Sequence, residues 1–135
     1  MVTILLDTME ILKLLSDPEY RKLADAIDKE KIQCIISVIS LTEIYKVIGM
    51  KDERVARELV TKIIGSKLRV VDVDTRIARK AGELRLKHNM PTADSLIAAT
   101  GVVSGATHVL TEDAHFNLIA SLLKRVNLKR VKKMV

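Results

Sequence analysis

The run Val2–Leu6 (VTILL) is apolar throughout, rich in β-branched residues, and ends at Asp7. A strand with no polar face must be covered on both sides, so it belongs inside a parallel sheet flanked by helices. The same kind of segment recurs. Ile32–Val38 (IQCIISV) reads as a second buried strand, Leu68–Val73 as a third, Thr107–Leu110 as a fourth and Val126–Val131 as a fifth. Helical spacing fills the intervals. It runs through Thr8–Leu15, through the stretch opened by Asp17-Pro18, and through Ser40–Met50 and Asp52–Ser66. It continues in the segment capped by Asp74, in the small-residue stretch after Pro91-Thr92, and from Asp113 to Leu123. Strands alternating with helices predict a three-layer α/β/α fold with right-handed crossovers. With 135 residues the chain is the size of one domain, and no linker or internal repeat interrupts it.

Composition narrows the class further. Cys34 is the only cysteine, which excludes an intramolecular disulfide and a cysteine zinc cluster and fits a reducing cytoplasm. The longest stretch without Lys, Arg, Asp or Glu is Ser95–Thr111, and it carries Gly101, Ser104, Gly105 and His108. It therefore reads as helix, turn and strand rather than as a membrane span. The amino terminus has neither a basic flank nor a small-residue cleavage site, so a soluble cytoplasmic protein is expected. Six of the 23 basic side chains (Lys124, Arg125, Lys129, Arg130, Lys132, Lys133) lie in residues 124–135, which hold none of the 17 acids. The net charge of +6 thus sits in the last strand and tail, where it suits a polyanion or a solubilising surface. Tyr20, Tyr45 and Phe116 are the only aromatic residues, too few for a base-stacking platform.

In a parallel sheet the carboxyl ends of the strands share one rim, and ligands bind there. Asp7 follows the first strand, Glu43 lies in the first turn of the helix after the second, and Asp113 stands three residues beyond Leu110. Asp94, in the first turn of its own helix, is placed to join them. Carboxylates gathered at one point repel unless a cation neutralises them, and Mg²⁺ or Mn²⁺ suits oxygen donors. Each acid also has a structural reading. Asp7-x-x-Glu10 and Ser40-x-x-Glu43 match capping boxes, Asp113 suits an N-cap, and Asp94 complements a helix dipole. Asp52 and Asp74 look like caps as well, and position alone does not say which acids are special. The chain carries no Walker A loop, no G-x-G-x-x-G and no G-x-S-x-G. His88, His108 and His115 lack zinc-ligand spacing, and mid-strand Cys34 reads as a buried inert thiol.

Four motifs in order resemble the PIN domain nucleases, and within them the VapC-type toxins: ILLDT, SVISLTEIYKV, AGELRLKHNMPTADSLIAATG and HVLTEDAHF. Their order and spacing match over nearly the whole chain, from Val2 to about Phe116. The resemblance implies a five-stranded sheet in the order 3-2-1-4-5 and metal-binding catalytic carboxylates at Asp7, Glu43, Asp94 and Asp113. Thr8 and Thr111 would be polar supports, and Asp52, Asp72 and Asp74 fall outside the pattern. Two positions depart from it: Glu112, where many relatives have a basic or neutral residue, and His115, where another acid is common. The implied activity is Mg²⁺- or Mn²⁺-dependent endonucleolytic hydrolysis of single-stranded RNA, leaving a 5′ phosphate. Lys46, Arg85, Lys87, Lys129, Arg130, Lys132 and Lys133 are candidates to hold the RNA backbone. A homodimer paired with a small antitoxin is the implied assembly. A PIN-domain processing or decay nuclease without an antitoxin, and a catalytically silent RNA- or protein-binding module, are the alternatives.

Overall fold

A computed structural model describes residues 1–135. Strand β1 (Thr3–Leu6) leads into helix α1 (Thr8–Ser16), a short 3₁₀ turn (Pro18–Tyr20) and α2 (Arg21–Asp28). Strand β2 (Gln33–Ser37) is followed by α3 (Val38–Gly49) and α4 (Glu53–Ile64). Strand β3 (Arg69–Val71) precedes the pair α5 (Thr75–His88) and α6 (Thr92–Val103). Strand β4 (His108–Leu110), a 3₁₀ segment (Ala114–Ile119), β5 (Lys124–Val126) and α7 (Leu128–Lys132) complete the chain. No helix is long and apolar enough to cross a membrane.

All strand pairings are parallel, and the order is β3-β2-β1-β4-β5, as the motifs implied. The reason β1 lacks a polar face is plain from its two sides. Ile4 and Leu6 enter a core with Ile11, Leu23, Ile27, Ile44, Ile63 and Val131, whereas Leu5 enters a second core with Ile77, Leu84, Ile97, Phe116 and Ile119. Burying each such side chain is worth roughly 1.5–3 kcal/mol, so β1 is a principal anchor of the fold. Gly101 lets α6 settle closely on β1: a Cβ there would lie 2.9 Å from Leu5 Cδ2. The hinge between α5 and α6 turns at Asn89, whose left-handed conformation (φ 52°) suits Asn better than most side chains.

Three sequence expectations are corrected. The fifth strand covers Lys124–Val126, not Val126–Val131, because Asn127 accepts a hydrogen bond from the Arg130 amide (2.9 Å) and opens α7. Lys129, Arg130 and Lys132 therefore ride on a helix, with Val131 turned into the core. The segment after Asp113 is 3₁₀ rather than α, which brings Phe116 and Ile119 to one buried side at a spacing of three. Neither capping box forms. Ser37 caps α3 by accepting the Ile39 amide at 3.1 Å, leaving Ser40 inside the helix. Glu10 accepts from the Tyr20 hydroxyl at 2.7 Å while the Asp7 amide donates to the Leu110 carbonyl.

Candidate active site

The strand order reverses between β1 and β4, since β2 and β3 lie to one side and β5 to the other. At such a switch point the loops part and leave a crevice. The Asp7 amide donates to the Leu110 carbonyl at 3.1 Å, extending the ladder one step past Leu6 and pinning Asp7 at the rim. Its side chain has two tasks. Oδ1 accepts the Thr8 amide at 2.8 Å as the N-cap of α1, and Oδ2 accepts from Thr111 Oγ1 at 2.6 Å.

Buried Thr111 also accepts the Asp113 amide at 2.9 Å, so the acid after β4 is held beside the acid after β1. Asp113 Oδ1 in turn accepts the His115 amide at 2.9 Å. The His115 ring folds back over this cluster, with Nδ1 3.0 Å from Asp94 Oδ2 and 3.0 Å from Asp113 Oδ1. On the opposite side the buried Thr8 hydroxyl donates to Glu43 Oε1, and its oxygen lies 2.9 Å from Ser40 Oγ. No buried side-chain nitrogen or oxygen lacks a partner.

The four acids named from the sequence thus come together in a graded way. Asp94 and Asp113, with His115, form a group whose ligand atoms lie within 4.8 Å of one another. Asp7 joins through Thr111, and Glu43 is reached through Thr8. Asp52 and Asp74 are caps, accepting the Arg54 amide at 3.0 Å and the Ile77 amide at 2.9 Å respectively. Sequence reasoning passed over His115 and Ser40. The D-x-H spacing was the available signal for His115; nothing local marked Ser40, whose role depends on a contact 32 residues away.

The electrostatics follow from this crowding. Burial, then the charges of Asp113 and Asp7, push the Asp94 carboxyl above its ordinary value, with His115 pulling the other way. The cluster is short of positive charge, and its donors are hard oxygens plus one imidazole. That set could hold a divalent cation.

Around the rim, Lys46 is exposed on α3 one turn beyond Glu43. Arg85 and Lys87 are exposed in the last turn of α5, just before the bend that starts the Asp94 helix. Away from the acids, on α7 and its tail, Lys129, Arg130 and Lys133 are exposed and Lys132 is half-buried, with Arg130 near enough to His108, at the start of β4, to act on its ring.

The family model of the PIN domain matches residues 4–122. The chain belongs to the PIN domain family. Solved structures agree on the fold. VapBC2 from Rickettsia felis, bound to a fragment of promoter DNA, superposes with a TM-score of 0.75 at 22% identity, covering 93% of this chain and 98% of that one. DNA-bound VapBC from Salmonella typhimurium gives 0.71 at 21% identity, covering 95% and 99%. PAE2754 from Pyrobaculum aerophilum gives 0.66 at 17% identity, covering 98% and 95%. Comparison with curated protein sequences gives no match. The four motifs noted in the sequence fall within the residues matched by the PIN domain, and β5 and α7 lie beyond their end.

Proposed function

We propose that residues 1–135 act as one PIN domain, a Mg²⁺- or Mn²⁺-dependent endoribonuclease on single-stranded RNA and the toxin of a toxin–antitoxin pair. The observation that carries the reading is the convergence of Asp7, Asp94 and Asp113 at the β1/β4 switch point, with Glu43 tied in through Thr8. Asp7, Glu43, Asp94 and Asp113 would hold the metal. A divalent ion supplies Lewis acidity toward phosphate oxygens and activates water for attack at neutral pH.

The protein groups divide the remaining work. Thr111 and Thr8 fix the carboxylates of Asp7 and Glu43, so they need not reorganise when the substrate arrives. Lys46, Arg85 and Lys87 hold the RNA backbone near the acids, and the basic residues of α7 and its tail, Lys129, Arg130, Lys132 and Lys133, hold it farther along the surface. Such contacts position the strand without reading bases, which matches the shortage of aromatic side chains.

The toxin reading draws on the VapBC complexes, whose matching chains are covered almost end to end. By analogy the partners are a small antitoxin protein and a second copy of this chain, acting in the cytoplasm.

The test is cleavage of single-stranded RNA in Mg²⁺, in Mn²⁺ and in chelator, beside thermal melting in the same buffers. Cutting that stops in chelator is expected, together with a metal-dependent rise in Tm. Binding to the folded state alone stabilises by about 2.7 kcal/mol at a hundredfold excess over Kd. Identical melting and no cutting in any buffer would overturn the reading in favour of a silent binding module.

A further inference from the structure

A second polar cleft, of about 400 Å³, opens beside the acidic cluster at the carboxyl ends of β4 and β5, between Thr111, Glu112, Asn117, Arg125, Val126 and Asn127. Its one cation is the half-buried Arg125 of β5. Nε donates to the Thr111 carbonyl at 3.2 Å, Nη2 to the Glu112 carbonyl at 2.9 Å, and Nη1 lies 3.4 Å from Asn117 Oδ1. These three acceptors are all neutral. Glu112 offers Arg125 its backbone, not its carboxylate, and Arg125 forms no ion pair with any acid.

A guanidinium carries five N–H donors in a rigid fork. Three are engaged here, so the group is oriented, its charge stays unneutralised, and two donors remain. Its anchor matters as much. Thr111 is the residue whose hydroxyl joins Asp7 to Asp113, so Arg125 grips the far side of the residue that organises the acids. A cation fixed next to an anionic centre suits a strand whose phosphates repeat along it. The acids, once charged with metal, take the reacting phosphate, and an adjacent phosphate needs a positive contact of its own.

We infer that Arg125 is a phosphate-binding residue, and that the cleft it lines receives the RNA backbone phosphate next to the scissile one. The inference rests on the nuclease reading and adds a binding group to it. Asn117 separates this role from simple bracing of the loop. If Arg125 served as a brace alone, an acid at position 117 would hold it better. If Arg125 holds phosphate, the same acid would compete for its charge.

The experiment uses the full chain with a fluorescent single-stranded RNA. Binding is measured against salt in an Asp7→Asn background, and KM and kcat are measured with Asp7 intact. Arg125→Gln should lower the log–log salt slope by about 0.7 for its one phosphate contact and raise KM while kcat stays within about twofold. Arg125→Lys should keep the slope and lose part of the affinity. Asn117→Asp should weaken RNA binding while leaving Tm unchanged or higher, and this effect should vanish in an Arg125→Gln background, as coupled sites require. An unchanged slope and KM in Arg125→Gln, or an Asn117→Asp effect that simply adds to it, would overturn the inference. Wild-type protein that cuts RNA while the variants behave like it refutes the Arg125 role alone. Wild-type protein that neither binds nor cuts RNA refutes the nuclease reading with it.

Discussion

Thr111 Oγ1 lies 2.6 Å from Asp7 Oδ2, and this side-chain contact between residues 104 apart in the chain ties the loop after β4 to the loop after β1, beyond the backbone bond between Asp7 and Leu110. Thr111 is buried, so its bond is shielded from water, and the same oxygen accepts the Asp113 amide. A hydroxyl that donates to one acid and accepts from the backbone of another sets their separation without adding charge.

Thr111→Val keeps the shape and removes that hydroxyl. The Asp113 amide then loses its partner, and stability should fall by about 1–3 kcal/mol, the usual cost of an unsatisfied buried group. Metal affinity and cleavage should drop about 10–100-fold, the range for groups that support metal ligands. Urea unfolding and metal titration check the two effects. A Val variant with full metal affinity would show that Thr111 is a loop residue with no hold on the acids.

Ser37 and Ser40 separate capping from site support. Ser37 caps α3 through the Ile39 amide, whereas Ser40 sits against Thr8, which bonds Glu43. Ser37→Ala should cost about 1 kcal/mol, as lost N-caps do, and leave the metal-induced rise in Tm intact. Ser40→Ala should weaken that rise because Thr8 and Glu43 lose a restraint. Melting curves with and without Mn²⁺ compare them directly, and the reverse pattern would contradict the assignment.

The sheet was legible in the sequence because buried parallel strands leave unmistakable apolar runs, and Val2–Leu6 lies between two cores. The last strand was misplaced for a related reason. Val126 and Val131 are both buried, but Asn127 caps a helix between them, and a capping bond to Arg130 is a three-dimensional fact. The gathering of acids was legible as topology for Asp7, Asp94 and Asp113, which follow a strand or open a helix near the rim, whereas Glu43, expected in the first turn of its helix, lies in the second turn of α3 because Ser37 rather than Ser40 is the cap. The order of closeness was not legible. His115 lies nearer Asp94 than chain spacing suggests because the 3₁₀ segment swings its ring back over the rim.

His108, at the start of β4, offers a pH signature outside the acidic cluster. Burial, then the nearby charges of Lys124 and Arg130, hold its ring below the ordinary histidine value of 6.5. The unfolded chain therefore binds the proton more readily, and in the window just below 6.5 stability rises with pH and declines on acidification. His108→Gln should flatten that slope, and Lys124→Gln should move the ring back up. NMR titration of the ring with urea midpoints between about pH 5 and 7 reads both. A His108 ring that titrates above 6.5 would mean that the basic residues of β5 and α7 lie farther from β4 than the structure has them.

The decisive variants are amide substitutions, because they keep caps while removing charge. Asp7 Oδ1 accepts the Thr8 amide at 2.8 Å and Asp74 Oδ1 accepts the Ile77 amide at 2.9 Å, so both are working N-caps. Asn caps as well as Asp, so Asp74→Asn should stay within about 0.5 kcal/mol of wild type and remain active. Asp7→Asn keeps the same cap but withdraws a negative charge from beside Asp94, whose carboxyl is already pushed up by its acidic neighbours. In chelator the relief of one repulsion raises its Tm, but only slightly, because the Asn amide nitrogen cannot accept the Thr111 hydroxyl bond that Asp7 Oδ2 accepts. Its cleavage should nevertheless fall by at least about a hundredfold, the upper range even for groups that merely support a metal. Glu43→Gln should follow Asp7→Asn in losing cleavage, with no gain in chelator, because Glu43 reaches the cluster through Thr8 and is not among the charges that push up the Asp94 carboxyl. Cleavage rates and chelator melts for all three variants separate the roles. If Asp7→Asn cuts RNA as Asp74→Asn does, Asp7 is a cap and nothing more, and the metal-dependent mechanism fails.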